Sequence, residues 1–204
     1  RPRHAEDREL MNAEMAHRMK NAFARIGALA RITVRESKDL DDFEARFEGR
    51  LNALSDAKQM IVAGAVDAVD LRQIIDRELA IAGWSPDQLV AVGGPEILLE
   101  DDGAQALALA LHELVTNSIK YGALSGQGDL AVNWRREGGD VVLSWIETGL
   151  AETPRIDRES FGTHFIGALI ERQLKGCWNR RPPDHGLTIT IRWADISGAM
   201  PPPD

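Results

Sequence analysis

Hydrophobic positions recur every three or four residues in three long stretches of the chain, and this period predicts amphipathic helices. The first stretch runs from about Ala5 to Val34, and the second ends near Val62 after a charged break at residues 37–42. The third runs from Ala104 to Leu124. Its small or apolar face consists of Leu107, Leu111, Leu114, Val115 and Ser118. We therefore expect a two-helix hairpin at the start of the chain and a central helix in a later domain.

The apolar stripes of the first two helices are too extensive for a hairpin to cover by itself. In the second helix, Leu40, Phe43, Phe47 and Leu51 follow the three-four spacing of a coiled-coil seam. Pairing of two hairpins into a four-helix bundle covers both stripes, which predicts a homodimer. The alternative is that the hairpin packs against the rest of its own chain.

Small residues connect the hairpin to the rest of the chain between Ala63 and Asp70. We place the domain boundary there, with residues 1–65 as the helical hairpin and residues 66–196 as a second domain. Residues 197–204 end in a proline-rich tail, which we expect to be disordered.

The second domain mixes short strands with helices. Beyond Gly128 the hydrophobic period changes to two, and Glu137-Gly138-Gly139 separates two alternating stretches, which predicts a β-hairpin. Strands are expected at 88–92, 97–100, 130–135, 140–147 and 187–193, and further helices at 71–82 and within 160–175. Asp70 is expected to cap the first of these helices, and Asp101 or Asp102 the central one. These elements predict an α+β chain whose second domain is an α/β sandwich with helices on one face of the sheet.

The composition argues against several classes of protein. A formal net charge of −8 does not fit a nucleic-acid binder, which normally carries a basic face. No apolar run reaches the roughly 20 residues that cross a bilayer, and no signal peptide is visible, so we expect a cytoplasmic location. The single cysteine, Cys177, fits a reducing compartment and is expected to fill space in the core. Because the sequence begins within a charged helical stretch and without a methionine, we expect it to be a piece of a longer protein.

Polar side chains line a second face of the central helix. Glu113, Asn117, Lys120 and Tyr121 stand at offsets of zero, four, seven and eight residues, so they project along one side. An amide oxygen can ligate a metal, a lysine can meet phosphate charge, and a carboxylate can orient or accept a proton. The column therefore suits a magnesium-bound polyphosphate, and the alternative is an ordinary solvated helix face.

Four short motifs, in order along the chain, resemble those of one enzyme family. Residues 112–125 are His-Glu-Leu-Val-Thr-Asn-Ser-Ile-Lys-Tyr-Gly-Ala-Leu-Ser, a run that closely resembles the asparagine box of HWE-type sensor histidine kinases. The run His17-Arg18-Met19-Lys20-Asn21 resembles their phosphoacceptor motif, His-Arg-x-Lys-Asn. Trp145-Ile146-Glu147, followed by Gly149, resembles the Trp-x-Glu element and first glycine, and Phe161-Gly162-Thr163 resembles the second glycine box.

This resemblance implies an autophosphorylating protein-histidine kinase that uses ATP and Mg²⁺. His17 would take the γ-phosphoryl group, and Glu113 would polarise or deprotonate its imidazole. The neighbours of the phosphoacceptor are Glu14, Arg18, Lys20 and Asn21. The second domain would have the ATP-binding fold that histidine kinases share with gyrases.

The same resemblance implies a nucleotide site. Asn117 would hold Mg²⁺, Lys120 and Tyr121 would contact phosphate, and Glu147 would accept a hydrogen bond from the adenine amino group. The full nucleotide-binding set is His112, Asn117, Lys120, Tyr121, Trp145, Glu147, Gly149, Gly162 and Thr163. Without the resemblance, Trp145 and Glu147 fit equally well a core tryptophan beside a solvent-exposed glutamate at a strand end.

The resemblance also implies partners outside the chain, namely an upstream sensor domain and a response-regulator receiver domain whose aspartate accepts the phosphoryl group. The resemblance places a lid over the nucleotide at residues 148–160. The departures from the family pattern are Leu150, Ala151, Ser160 and His164, and they would stiffen this lid or weaken ATP binding. Two alternative functions follow: a phosphotransfer or docking scaffold that binds ATP weakly, and an ATPase of the same fold that drives conformational change.

Overall fold

The computed structural model describes residues 3–64, 67–83, 91–126, 128–154 and 161–195. Within those ranges side chains are described from residue 15 onward, apart from residues 18, 161 and 162. Contacts divide the chain into two units, Arg1–Leu51 and Asn52–Asp204. This division falls inside the second helix, and the domain boundary after residue 65 stays a prediction.

Two long helices build the first unit, as the hydrophobic spacing predicts. α1 spans Arg3–Glu36, and α2 spans Leu40–Ala63 and continues into the second unit. Asp39 Oδ1 accepts a hydrogen bond from the Asp42 N–H at 2.8 Å, which satisfies one of the free N–H groups at the start of α2. The helical hairpin is confirmed.

A buried polar cluster joins the two helices of the hairpin. Arg50 of α2 is only 1% exposed, donates a hydrogen bond to Thr33 Oγ1 at 2.8 Å and forms an ion pair with Glu36. Thr33 Oγ1 in turn donates to the Leu29 carbonyl at 2.8 Å. Because a guanidinium is costly to bury without such partners, this cluster fixes how the two helices are aligned.

The second unit alternates helices and strands. Their bounds are β1 Ala68–Asp70, α3 Leu71–Ile81, β2 Ala91–Gly93, β3 Leu98–Glu100, α4 Asp101–Tyr121, β4 Asp129–Glu137, β5 Asp140–Thr148, α5 Phe161–Arg172, β6 Cys177–Arg181 and β7 Leu187–Ala194. A single 3-10 turn, Ala123–Ser125, follows α4. All the strands expected from the sequence are present, with shifted ends, and residues 88–90 of the first lie outside the described residues.

A five-stranded sheet has the order β2-β4-β5-β7-β6. β2 runs parallel to β4, and the other neighbours are antiparallel. β1 and β3 form a separate antiparallel pair. The period-two pattern buries Leu130, Val132 and Trp134 of β4, while α4 packs between α3 and α5 and buries its apolar face. The mixed α+β fold with a helix-covered sheet is confirmed.

The predicted hairpin between β4 and β5 turns on two glycines. Glu137 pairs with Asp140, which leaves Gly138 and Gly139 as the two loop residues, with φ of 64° and 90°. Two successive positive φ values are a conformation that side chains with a Cβ rarely adopt, so the Gly-Gly pair makes this tight turn possible.

Two predicted helix caps differ from the structure. Glu100, still paired in β3, occupies the position before α4, and Asp101 and Asp102 lie inside the first helical turn. The chain passes directly from strand to helix there, which leaves no extended residue at 101 or 102 to act as the cap. Asp70 does precede α3, but its Oδ1 accepts a hydrogen bond from the Ile97 N–H at 3.1 Å and makes none to the helix.

Two short strands were not expected. β1 lies within the small-residue connection, and β6 lies in a polar stretch in which only alternate side chains face inward. Cys177 is the first residue of β6 and is exposed, so the expectation that it fills the core is wrong. Ser160 and the tail at 197–204 lie outside the described residues. Across the described part of the chain, no helix combines the length and apolar character needed to span a membrane.

Candidate functional site

A cavity of about 540 Å³ lies in the second unit, between α4, α5 and the inner side of the sheet. The residues that line it are Leu114, Asn117, Ser118, Tyr121, Gly122, Trp145, Glu147, Glu152, Thr153, Pro154, Thr163, Ile166, Trp178, Arg180, Leu187 and Ile189. Its size is that of a small-molecule site. Its walls combine aliphatic side chains with a few polar groups, which suits a ligand that has one flat apolar part and one polar part.

The carboxylate of Glu147 is enclosed within the cavity, and the residue is only 3% exposed. Oε1 accepts a hydrogen bond from Trp145 Nε1 at 2.8 Å, and Oε2 accepts one from the Ala123 N–H at 3.3 Å. Residues 145 and 147 lie on the same face of β5, because side chains alternate along a strand. The alternative in which Glu147 is exposed to solvent is therefore wrong.

The last turn of α4 forms the polar rim. Asn117 and Tyr121 are one turn apart and both exposed, so an amide and a phenol lie at the opening. Ser118 beside them is buried, and its Oγ accepts a hydrogen bond from the Leu124 N–H at 3.1 Å. This bond holds the segment after α4 in place beneath Glu147.

The wall opposite α4 combines the start of α5 with β6. Thr163 lies in the first turn of α5, and Trp178 and Arg180 project from β6. A Cβ at Gly167 would lie 3.1 Å from Trp178 Nε1, so the glycine allows α5 to approach the indole closely. Burial lowers the pKa of the Arg180 guanidinium below its usual value, yet at neutral pH the group keeps its charge.

The structure brings together five of the nine nucleotide-binding residues predicted from the sequence, whereas Lys120, Gly149 and the predicted catalytic Glu113 lie outside the lining. Asn117, Tyr121, Trp145, Glu147 and Thr163 line the cavity. Glu113 is buried, Lys120 is exposed, and neither belongs to the lining. Gly149 lies just after β5, with a φ of 70°. The surroundings of Gly162 are not among those that the structure describes.

His112 takes a different position from the one expected. Its Nδ1 lies 3.0 Å from Glu78 Oε2, and both side chains are buried between α3 and α4. This residue therefore contacts α3 and does not line the cavity. The pair joins the two helices through a hydrogen bond that the sequence did not predict.

The predicted phosphoacceptor motif lies in the first unit. His17, Lys20 and Asn21 are all exposed on α1, as expected for an outer helix face. Asn21 Nδ2 lies 3.5 Å from His17 Nδ1, one helical turn away. The side chains of Glu14 and Arg18 lie outside the described residues.

Leu150, one departure from the family pattern, is held in place by contacts with the loop before β7. Leu150 is buried, and its N–H donates to the His185 carbonyl at 2.9 Å. His185 Nδ1 lies 3.1 Å from the Leu150 carbonyl, so two contacts attach residue 150 to the loop before β7. Ala151 and His164 are exposed. The segment after Gly149 is thus anchored at its first residue.

Several cavity residues escaped sequence reasoning. Trp178 and Arg180 lie in no motif, and Gly122, although part of the run at 112–125, was given no role. Nothing in the sequence places β6 beside α5 or residue 122 beside Glu147. The spacing of two between Trp178 and Arg180 agrees with a strand, but this pattern is too short to predict β6. Among the described residues, no cluster of three His, Cys, Asp or Glu side chains is arranged to hold a metal.

Comparison with solved structures defines the class of fold. The histidine kinase domain of a blue-light activated histidine kinase from Erythrobacter litoralis matches 85% of this chain and 95% of its own length, with a TM-score of 0.57 and 17% identity. The chain thus has the fold of a histidine kinase domain.

Sequence comparison then indicates the family. The model of the HWE histidine kinase family matches residues 14–96. A blue-light-activated histidine kinase of Rhizobium johnstonii is 32% identical over 190 residues, which cover 92% of this chain and 53% of that protein. Blue-light-activated histidine kinase 1 of Erythrobacter litoralis is 37% identical over 180 residues, which cover 82% of this chain and 48% of that protein. Residues 14–96 of the chain thus match the HWE histidine kinase family, and the chain spans about half the length of these relatives.

Proposed function

We propose that this chain comprises the phosphoacceptor and ATP-binding regions of a protein-histidine kinase. It would phosphorylate His17 with ATP and pass the phosphoryl group to an aspartate of a response-regulator receiver domain. One observation carries the proposal. Residues from three motifs far apart in the sequence, represented by Asn117, Glu147 and Thr163, line a single cavity of ATP-compatible size.

The cavity offers a separate environment for each part of ATP. Glu147 would accept a hydrogen bond from the adenine amino group, and Leu114, Ile166 and Ile189 would pack on the base. The phosphates would extend toward Thr163, since the first turn of a helix presents free N–H groups to anions. Lys120 and Tyr121, at the exposed end of α4, would contact phosphate.

Mg²⁺ fits this site as an ion bound mainly by the nucleotide. In such sites the protein commonly supplies only one or two oxygen ligands, and substrate phosphates and water supply the rest. The Asn117 amide, exposed at the cavity rim, would be the ligand from this chain. The ion would neutralise charge on the phosphates.

The chemical step would be an in-line displacement on the γ-phosphorus. The neutral imidazole of His17 would attack, the bond to the leaving ADP oxygen would break, and the imidazole would give up one proton. The Asn21 amide, 3.5 Å from Nδ1, would help to set which ring nitrogen carries the proton and which one attacks. Glu113 would polarise the imidazole or take its proton, and Lys20 and Arg18 would place positive charge near the transferred group.

The hairpin would bring two chains together as a homodimer. Met15, Met19 and Phe23 of α1 are 58%, 54% and 66% exposed and recur every four residues, so they form an uncovered apolar stripe. Large apolar side chains exposed in a row are typical of an interaction surface. The upstream sensor domain, the receiver domain and the cytoplasmic location are further parts of this proposal that rest on the match to this family.

The anchoring of Leu150 keeps one alternative in view. A restrained segment after Gly149 would hinder closure over the nucleotide, which is what the alternative of a scaffold that binds ATP weakly requires. Measured ATP affinity separates the two functions. The conformational ATPase differs again, since its turnover would not depend on His17.

Incubation with γ-labelled ATP and Mg²⁺ tests the proposal. Wild type should acquire an acid-labile, base-stable label, and both His17→Ala and Asn117→Ala should lose it. His4→Ala, which removes the other histidine of α1, is the matched control and should keep the label. Label that survives in His17→Ala would contradict the assignment of the acceptor, and wild type that binds no ATP would favour the scaffold.

A further inference from the structure

The carboxylate of Glu147 is held from two sides by groups that have no other polar role in the cavity. Trp145, 1% exposed, directs its only side-chain N–H to Oε1 at 2.8 Å. The N–H of Ala123, the first residue of the 3-10 turn after α4, donates to Oε2 at 3.3 Å. The two donors come from different elements, so they restrict both the position and the rotation of the carboxylate.

Gly122 adds a steric restriction to these two hydrogen bonds. A Cβ placed on Gly122 would lie 2.2 Å from Glu147 Oε2 and 2.8 Å from its carboxyl carbon. Its φ of −121° is ordinary for any residue, so backbone freedom does not explain the glycine. The absence of a side chain is what lets the carboxylate lie against the backbone after α4.

A carboxylate fixed in this way distinguishes nucleobases by whether the group that faces it donates or accepts a hydrogen bond. An ionised carboxylate only accepts hydrogen bonds, and two donors leave part of its acceptor capacity for the cavity. The amino group of adenine would donate to it, whereas the carbonyl oxygen of guanine at the same position would repel it. A carboxylate free to rotate would turn away from the guanine oxygen and discriminate less.

We propose that Trp145 and Gly122 are positioning residues that fix the Glu147 carboxylate and so give the site its preference for adenine over guanine nucleotides. The inference rests on the proposed function, because it requires that the cavity bind ATP. The spacing of two residues in Trp-x-Glu places both side chains on one face of β5, where Trp145 can donate a hydrogen bond to Glu147. Trp145 would thus affect nucleotide binding through Glu147.

Binding of ATP and of GTP, each with Mg²⁺, to the 204-residue chain by titration calorimetry tests this role. Trp145→Phe removes the N–H while keeping an aromatic ring, and Gly122→Ala displaces the carboxylate from the opposite side. Trp134→Phe is the matched control, because this buried tryptophan also donates its N–H, to the Pro95 carbonyl at 2.7 Å, and does not line the cavity. Thermal unfolding of all variants shows whether each one is folded.

Wild type should prefer ATP, and both test variants should lose about 10-fold of the ATP-to-GTP affinity ratio, the amount expected for a misplaced hydrogen bond to a charged group. Trp134→Phe should keep the wild-type ratio even where its stability falls. Unchanged ratios in folded Trp145→Phe and Gly122→Ala would overturn the positioning role while leaving ATP binding intact. Wild type that binds neither nucleotide would overturn the proposed function, and this inference with it.

Discussion

Removal of the Glu78 carboxylate should destabilise the second unit strongly, because this group is the buried partner of His112. The Glu78 side chain is 2% exposed and the His112 side chain 7%, with 3.0 Å between Oε2 and Nδ1. Truncation in Glu78→Ala removes the hydrogen bond and leaves the imidazole without this partner in the interior. Loss of a hydrogen-bond partner that leaves a buried polar group unsatisfied costs about 1–3 kcal/mol. We expect about 3 kcal/mol for Glu78→Ala and about 1 kcal/mol for Glu78→Gln, which can still hydrogen-bond to the imidazole.

Urea unfolding followed by tryptophan fluorescence measures this loss in the relevant unit. All five tryptophans lie at residue 84 or later, so the signal reports on the second unit and not on the hairpin. The control is Asp76→Ala on the same helix, which breaks a 2.8 Å ion pair with Arg72 whose side chains are 43% and 40% exposed. An exposed pair of this kind contributes at most about 1 kcal/mol. Thermal unfolding should show a fall in Tm of about 6–12 °C for Glu78→Ala.

Two results would refute this reasoning. If Glu78→Ala lowers the unfolding free energy no more than Asp76→Ala does, the His112 contact does not stabilise the fold. If Glu78→Gln is as damaging as Glu78→Ala, the hydrogen bond is not the source of the stability, because glutamine retains it.

Two further predictions concern other regions. Hydrogen bonds from Arg192 and, to a smaller extent, from Arg135 lower the pKa of Glu137 below its ordinary value of about 4.5. The pairing therefore stabilises the fold at pH values above about 4.5. This stabilisation is lost as the pH falls through the lowered pKa of the folded state. Titration of the Glu137 carboxyl by NMR should show this shift, and an ordinary pKa would contradict the pairing. In the hairpin, Phe23→Glu should convert a dimer to a monomer in light scattering at fixed protein concentration, because it puts a charge into the exposed apolar stripe. Glu44→Gln, a change at another exposed position of the same hairpin, should leave the mass unchanged, and a wild-type monomer would argue against the dimer.

Local periodicity predicted the elements of this fold well, because each element is defined by residues close in sequence. The three-four spacing indicated α1, α2 and α4, and the Gly138-Gly139 pair indicated the β4–β5 turn. Predictions from local sequence were weaker where a structure depends on pairing with a distant segment of the chain. β1 is a three-residue strand that forms by pairing with β3, and Cys177 is exposed because it lies on the outward face of the edge strand β6. The cap at α4 was misplaced because β3 pairing extends to Glu100, a fact that depends on Ala68 far earlier in the chain.

The candidate site likewise has parts that follow from residues close in sequence and parts that depend on distant residues. Helix geometry places residues four apart, such as Asn117 and Tyr121, on one face. Strand geometry does the same for residues two apart, such as Trp145 and Glu147, so both pairs can be recognised as sequence motifs. The contacts that complete the site cross long distances in sequence: Ala123 bonds to Glu147 over 24 residues, and His112 to Glu78 over 34. A backbone N–H has no signature in sequence, because every residue except proline carries one. Gly122 can therefore be understood only from the structure, where its missing side chain leaves room for the carboxylate that its neighbour binds.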